Sequence, residues 1–353
     1  MTEQAEQQVR SVNVSRVRPV IQGIEVLRMP RADGSGDGAV VVVVPPSPDS
    51  PHFVERREST VAPWRNGPHT EVLQERQIER AYADRFARRT AAAANLQHLV
   101  ESTRASLSYD EVWMLGVAHP RVERDVTLRV PARDEATAAV LESMRLGLAT
   151  LHHGLEEGDP RKRRTGPSFG SPFAAVGDAV QNPRRGLRRW VIRPDSTELS
   201  RTGVTTTTYA ELHESGAVVL AVPCWVTREL EAAHQGESLV QVAIVEYSAV
   251  ALVALAAAWA DKSGGFGTVS LRLDVVPRDR DIASMLRIVS QHDYGQGFTL
   301  PEVPEWTVGR PRVVPAEAEL LDPQDPGDRR LTAKQLTEDV VHQFGLTTLE
   351  SLA

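Results

Sequence analysis

The sequence holds a single cysteine, Cys224, in 353 residues. One thiol cannot make an internal disulfide, and it excludes a multi-cysteine zinc site; both fit a reducing cytoplasm. A basic excess is also lacking. Forty lysines and arginines face 47 aspartates and glutamates, for a formal net charge of −7. That excludes a generally basic nucleic-acid binder but leaves room for local basic patches. The opening MTEQAEQQVR has no charged-then-apolar signal pattern, so export is not expected. No GxxxxGK[ST] loop occurs. Gly264, Gly265 and Gly267 follow a helical pattern and precede a strand, the reverse of the order that cradles phosphate, so they read as a helix stop. His153 and Glu157 stand four apart without a third ligand, so no metal and no cofactor is expected. VPCW around Cys224 has only Arg228 as a neighbouring cation and reads as a buried, inert thiol. No internal repeat is present.

The longest apolar run is SLVQVAIVEYSAVALVALAAAWA, Ser238 to Ala260. It is long enough to cross a bilayer. Gln241 and Glu246 lie inside it, however, and a carboxylate at mid-membrane depth costs about 2.5–3.5 kcal/mol even on lenient scales. The run therefore reads as a buried, Ala-rich helix of a soluble domain, with no membrane partner. A buried Glu246 would need a partner, such as Arg272 or Arg189.

The length suggests two domains, and 41% hydrophobic residues suffice for an ordinary core. Residues 2–17 read as a short polar helix. GIEVLRM and AVVVVV read as two strands of a hairpin joined by ADGSGDG, the second as a buried strand because it is apolar on both faces. STVAPW reads as an edge strand. The sequence turns helical from Glu71 to about Leu107, with Thr70 as a cap. EVWMLGVAHP and VTLRVP read as strands. Arg133 to Leu155 reads as an amphipathic helix with Ala136, Val140, Leu141, Met144 and Leu148 inward. Residues 157–183 read as a mobile, Gly/Pro/Arg-rich loop. GLRRWVIRP, TGVTTTTYAELHESGAVVLAVP and GTVSLRLDVVP supply further strands. After Pro301 prolines become frequent, and the tail is expected to wrap the surface before a last helix capped by Thr332 and stopped by Gly345.

The stretch PPSPDSPHFV, Pro45 to Val54, ends the valine strand in prolines that lack backbone donors. Ser47 and Asp49 can bond the bending backbone. His52, Arg56 and Arg57 follow, and Arg65-Asn66-Gly67 makes a second polar turn. If the two strands pair, these residues converge on one rim, where Arg56, Arg57 and Arg65 would contact phosphates with help from Asn66. The plainer alternative has His52 packing or capping and Arg65 paired with Glu55 or Glu58. In order and spacing, VVVVPPSPDSPHFV, WRNGPHT and ERQIERAYADRF are similar to parts of the Schlafen/AlbA-type DNA-binding domain family. Residues 16–86 resemble the distal half of that domain, about a fifth of the chain. The proximal half, with its E-x-x-x-x-E-F-K-like helix and Gly-rich strand end, has no counterpart. MLGVAHP is the nearest echo of that strand end, and it carries His119 where an acid is expected. The resemblance therefore implies a bacterial, cytoplasmic nucleic-acid-binding module, shortened or mis-started, without the acids that build a metal-dependent cleavage site in some relatives.

The strongest electrostatic feature is RKRR with RRGLRR. Between Arg161 and Arg193 stand Arg161, Lys162, Arg163, Arg164, Arg184, Arg185, Arg188, Arg189 and Arg193, against the lone acid Asp178. Such a segment can neutralise several phosphates, and Phe169, Phe173 and Trp190 can stack on bases. It can equally be a solvated loop neutralised elsewhere.

The sequence thus predicts an α+β chain. Residues 1–105 form a partial Schlafen/AlbA-like module. Residues 106–300 form a second αβ domain with the buried Ala-rich helix and a basic loop at 157–193, and 301–353 a Pro-rich tail ending in a helix. The expected function is non-catalytic binding of DNA or RNA. The alternative is a scaffold whose basic loop docks an acidic protein partner. A nuclease or ATP-binding protein lacking its N-terminal half ranks third.

Overall fold

A computed structural model describes residues 2–21, 24–29, 38–44, 47–57, 59–107, 110–122, 130–164, 178–193, 208–224, 226, 228–264, 266–278, 285–290 and 302–353. The fold is α+β, and the chain divides into two units at Ala94/Asn95.

The first unit begins with the polar helix α1 (Thr2–Arg16) and strand β1 (Val17–Arg18). Strands β2 (Glu25–Met29) and β3 (Ala39–Val43) pair antiparallel, as the sequence suggests. β3 is not a buried strand. Val41, Val42 and Val43 are 38%, 39% and 41% exposed, because the hairpin has no third strand among the described residues. Strands β4 (Phe53–Arg56) and β5 (Ser59–Val61) join β1 in a three-stranded sheet, order β1-β4-β5. β6 (Pro63–Asn66) and β7 (His69–Val72) form a further hairpin, turned at Gly67 with φ 57°. Helix α2 (Glu75–Ser106) follows. Thr70 lies in β7 and is not its cap. Asp49 accepts from Arg85 at 2.9 Å and Arg89 at 3.0 Å, tying the proline-rich bend to α2. Phe53, Tyr82 and Phe86 stack in a row at 6.4 and 6.3 Å.

The second unit starts with the last turns of α2. A helix end near 106 is visible in the sequence, but it is not the boundary. Leu96, Val100 and Leu107 are buried against one face of the central sheet. The further elements are β8 (Trp113–Val122), α3 (Arg133–His152), α4 (Pro160–Arg164), α5 (Asp178–Gln181), β9 (Arg184–Gly186), β10 (Arg189–Ile192), β11 (Tyr209–His213) and β12 (Val218–Pro223). After them come α6 (Arg228–Ala233), β13 (Glu237–Gln241), α7 (Val242–Ser263), β14 (Phe266–Val276), β15 (Met285–Val289), β16 (Ala316–Leu320) and α8 (Pro326–Val341). Seven strands form an antiparallel sheet, order β16-β14-β8-β12-β11-β10-β9. β13 and β15 pair in parallel beside it.

Strand β8 is apolar on both sides because both are covered. Trp113, Leu115 and Val117 meet α2, whereas Met114 and Ala118 meet the core that contains α3, α7 and α8. Gly116 lets α7 approach this strand. A Cβ there would stand 2.8 Å from Leu252 Cδ2, and Leu252 is fully buried. Gly116→Ala is therefore expected to cost about 1–3 kcal/mol, seen as a lower urea midpoint; an unchanged midpoint would refute this packing.

Helix α7 is long and apolar enough to cross a membrane, and 89% of that stretch is buried inside the protein. Gly264 ends it in the left-handed conformation, φ 72°, with its N–H on Ala260 O. Glu246 is fully buried, as its position suggests, but among the described residues it forms no ion pair with Arg272 or Arg189. It accepts hydrogen bonds from the backbone N–H groups of Glu350, Ser351 and Leu352. The C-terminal stretch is thus part of this unit. β16 extends the sheet, and Val340, Val341, Phe344 and Leu352 are fully buried. α8 begins earlier than expected, with Asp325 as its cap accepting from Asp328 N at 2.8 Å and Pro326 in its first turn; Thr332 is buried mid-helix. α3 stops at His152, and Leu141 is 44% exposed rather than inward. Residues 126–129 of the expected strand VTLRVP lie outside the described residues.

Candidate nucleic-acid interface

An arginine-rich hairpin closes one edge of the large sheet. β9 pairs with β10, and β10 with β11. The strand expected in GLRRWVIRP is β10, and the loop expected at 157–183 carries the short helices α4 and α5; residues 165–177, with Phe169 and Phe173, lie outside the described residues. At the tip, Arg188 holds φ 54°. A non-glycine residue pays about 1–3 kcal/mol for that region. The turn thus projects an arginine at a backbone position that suits glycine.

Directly opposed residues share a face of a sheet. Arg184 opposes Val191, Val191 opposes Glu211, and Arg189 opposes His213. Arg189 and Val191 alternate along β10, and Arg193 directly follows that strand; Tyr209, Glu211 and His213 alternate along β11. One face of the edge therefore carries Arg184, Arg189, Arg193, Tyr209, Glu211 and His213 around Val191. Arg185 opposes Trp190 on the other face and lies 5.0 Å from its ring centroid.

Glu211 is the hub of the first face and is 4% exposed. Tyr209 O–H donates to its Oε1, His213 Nε2 lies 2.7 Å from Oε2, and Arg189 Nε stands 3.1 Å from Oε1. Burial pushes the Glu211 carboxyl up, but the bonds from His213 and Tyr209 and the charge of Arg189 outweigh it, so Glu211 titrates below the usual range. Burial pushes the Tyr209 phenol up, reinforced by the bond to Glu211, so it stays protonated. Arg189, 40% exposed at its side chain, faces both Glu211 and solvent. On the opposite face Arg185 pairs with Glu214. Among the described residues, Glu211 pairs with Arg189 and Glu214 with Arg185 at this edge.

Within each unit the residues singled out from sequence fall into separate groups. His52 Nδ1 donates to the Pro19 carbonyl at 2.7 Å, so it braces a turn. Arg56 and Arg57 are exposed at the β4–β5 turn. Arg65 donates to Gly67 O at 3.0 Å and Thr70 Oγ1 at 3.1 Å, and Asn66 donates to Glu71 Oε1 at 2.9 Å. Both brace a separate hairpin; Glu58 lies outside the described residues, and among those described Arg65 is not paired with Glu55. Arg161 is held by Asp159 at 2.8 Å and by the Ala353 carbonyl; Lys162 is half-buried beside it, and the side chains of Arg163 and Arg164 lie outside the described residues. The RKRR cluster follows the C-terminal end of α3, where Leu151 O meets Arg330, which also reaches Ala353 O. The RRGLRR hairpin adjoins the N-terminal end, where Arg133 meets Asn182 and Trp190 donates to Pro131 O at 3.1 Å. Twenty helical residues span about 30 Å, so the two basic clusters are separate. Trp190 packs on the core under Arg185 and presents no free stacking face.

Tyr209, Glu211 and His213 escaped the sequence reading. Their signal is the polar alternation in YAELH. Among the described residues no group of three His, Cys, Asp or Glu side chains could hold a metal. Cys224 is buried, and burial raises its thiol well above the usual range, which keeps it protonated. Comparison with protein-family profiles, curated proteins and solved structures finds no match.

Proposed function

We propose that this chain binds nucleic acid in the cytoplasm, through the arginine edge of its second unit. The observation that carries the reading is the concentration of Arg184, Arg188, Arg189 and Arg193 on one edge hairpin and its sheet face. Guanidinium groups fit phosphate oxygens bidentately and keep their charge at any physiological pH. The resemblance of residues 16–86 to the Schlafen/AlbA-type domain points the same way and rests on other residues. The test is competition. A single-stranded oligonucleotide should displace polyglutamate of equal charge from the intact chain at low salt by at least about tenfold, since charge alone is sequence- and chemistry-blind. Equal displacement, or no binding, would overturn the reading.

Charged residues on an edge strand also discourage pairing with other chains, which is the bland role of the same arginines. A scaffold role has its own support: the β2–β3 hairpin of the first unit exposes Leu27, Met29, Val41, Val42 and Val43. In that reading polyglutamate would compete as well as the oligonucleotide.

A further inference from the structure

We propose that the face around Val191 selects a phosphomonoester, the dianionic end of a phosphorylated strand, over the internal diesters of a backbone. The inference rests on the nucleic-acid reading and names which part of that ligand the site takes. Its support is the shape of the charge distribution. A surface that tracks a backbone lays its cations in a stripe, so that each meets a successive phosphate. Here the cations surround one point. Val191 is the half-buried floor. Arg184 lies beside it on β9, and Arg189 and Arg193 lie two residues before and after it, Arg193 directly after the strand. Neighbouring strands stand about 4.8 Å apart, and residues two apart on one strand about 6.8 Å. Long guanidinium arms from these three positions can meet over a single group.

Glu211 closes the fourth side, and its charge does not oppose the ligand freely. Tyr209, His213 and Arg189 all address its two oxygens. The carboxylate holds Arg189 and His213 in place and is a positioning residue. Through His213 and Arg189 it keeps the cationic groups from dispersing into solvent. A ring of this kind rewards charge density. A monoester carries a charge of −1.5 to −2 near neutral pH, as phosphorylated side chains do. A backbone diester carries one.

The test uses the full chain with three probes: a short single-stranded oligonucleotide bearing a 5′-phosphate, the same strand bearing a 5′-hydroxyl, and the matching 5′-mononucleotide. The phosphorylated strand is expected to bind at least about tenfold tighter than the hydroxyl strand, and Arg193→Gln should erase that ratio. The mononucleotide arm separates sources: competition at similar concentration assigns the site to free nucleotides, and weak competition assigns it to strand ends, with either result supporting a monoester site. Glu211→Ala gives a readout that charge alone does not. Removing a carboxylate should raise the affinity of the hydroxyl strand, whereas loss of positioning should collapse the 5′-phosphate preference. Glu211→Gln, which keeps an acceptor for His213 and Tyr209, should retain part of the preference and serves where the alanine variant is unstable. Equal affinity of the two strands for the wild-type chain overturns this inference and leaves the binding reading standing. No binding of any probe ends both.

Discussion

Glu246→Ala is expected to lower stability by about 3 kcal/mol at pH 6, measured as the urea midpoint. Glu246 receives the N–H of Glu350 at 2.7 Å, of Ser351 at 2.8 and 3.0 Å, and of Leu352 at 3.4 Å. Three consecutive backbone donors converge on one carboxylate, and each buried donor left without an acceptor costs about 1–3 kcal/mol. The chain can escape part of that cost only by releasing its last residues, which exposes the fully buried Leu352. The same site sets a pH dependence. Burial, reinforced by the nearby Glu350, raises the Glu246 carboxyl to about 7, against the opposing pull of the three N–H groups. A group that binds its proton more tightly when folded stabilises the fold below its unfolded value near 4.5 and loses that contribution as pH rises through about 7. Between pH 5 and pH 8 the loss amounts to about 2–3 kcal/mol. Glu246→Gln removes the titration and should flatten the stability profile across this window. A Gln variant with the wild-type slope would refute the assignment.

Replacing Arg184, Arg188 and Arg193 together by alanine is expected to weaken single-stranded nucleic-acid binding about 100-fold at low salt, at about 1 kcal/mol per lost phosphate contact. Arg185 and Arg189 are left in place for a structural reason. Arg185 is engaged by Glu214 and Trp190, and Arg189 by Glu211. Truncating either would leave a carboxylate unpaired, and the change in affinity would mix binding with repacking. All three chosen positions are exposed on the edge hairpin, so the fold should survive. Circular dichroism and an unchanged urea midpoint would confirm that.

Much of the framework was legible because local patterns agree with their surroundings. The β2–β3 hairpin, the strand TVSLRLDVV and the buried Ala-rich helix all follow from alternation, turn residues and unbroken apolarity. Burial was harder to read. Five valines at 40–44 look like a core strand, yet β3 has only β2 beside it. Leu141 looks inward by spacing and is exposed. The proline-rich stretch after Pro301 looks like a surface wrap, yet it supplies an edge strand, a packed helix and the donors for Glu246. Each of these outcomes is set by a partner far away in sequence, which local periodicity does not encode. The candidate site was half legible. RRGLRR stood out by composition. The separation from RKRR by the length of α3, and the Tyr209–Glu211–His213 network, depend on strand register. Alternation in YAELH places those three residues on one face, but only the pairing with β10 brings Arg189 and Arg193 beside them.

The most direct measurement is the salt dependence of single-stranded nucleic-acid affinity, compared between the intact wild-type chain and the triple arginine variant. Phosphate contacts at this edge predict a negative slope for log affinity against log salt concentration in the wild type, and a slope smaller in magnitude by about 1–2 in the variant. Identical slopes in the two proteins, or no measurable binding by the wild type at low salt, would contradict the assignment of this edge as the nucleic-acid interface.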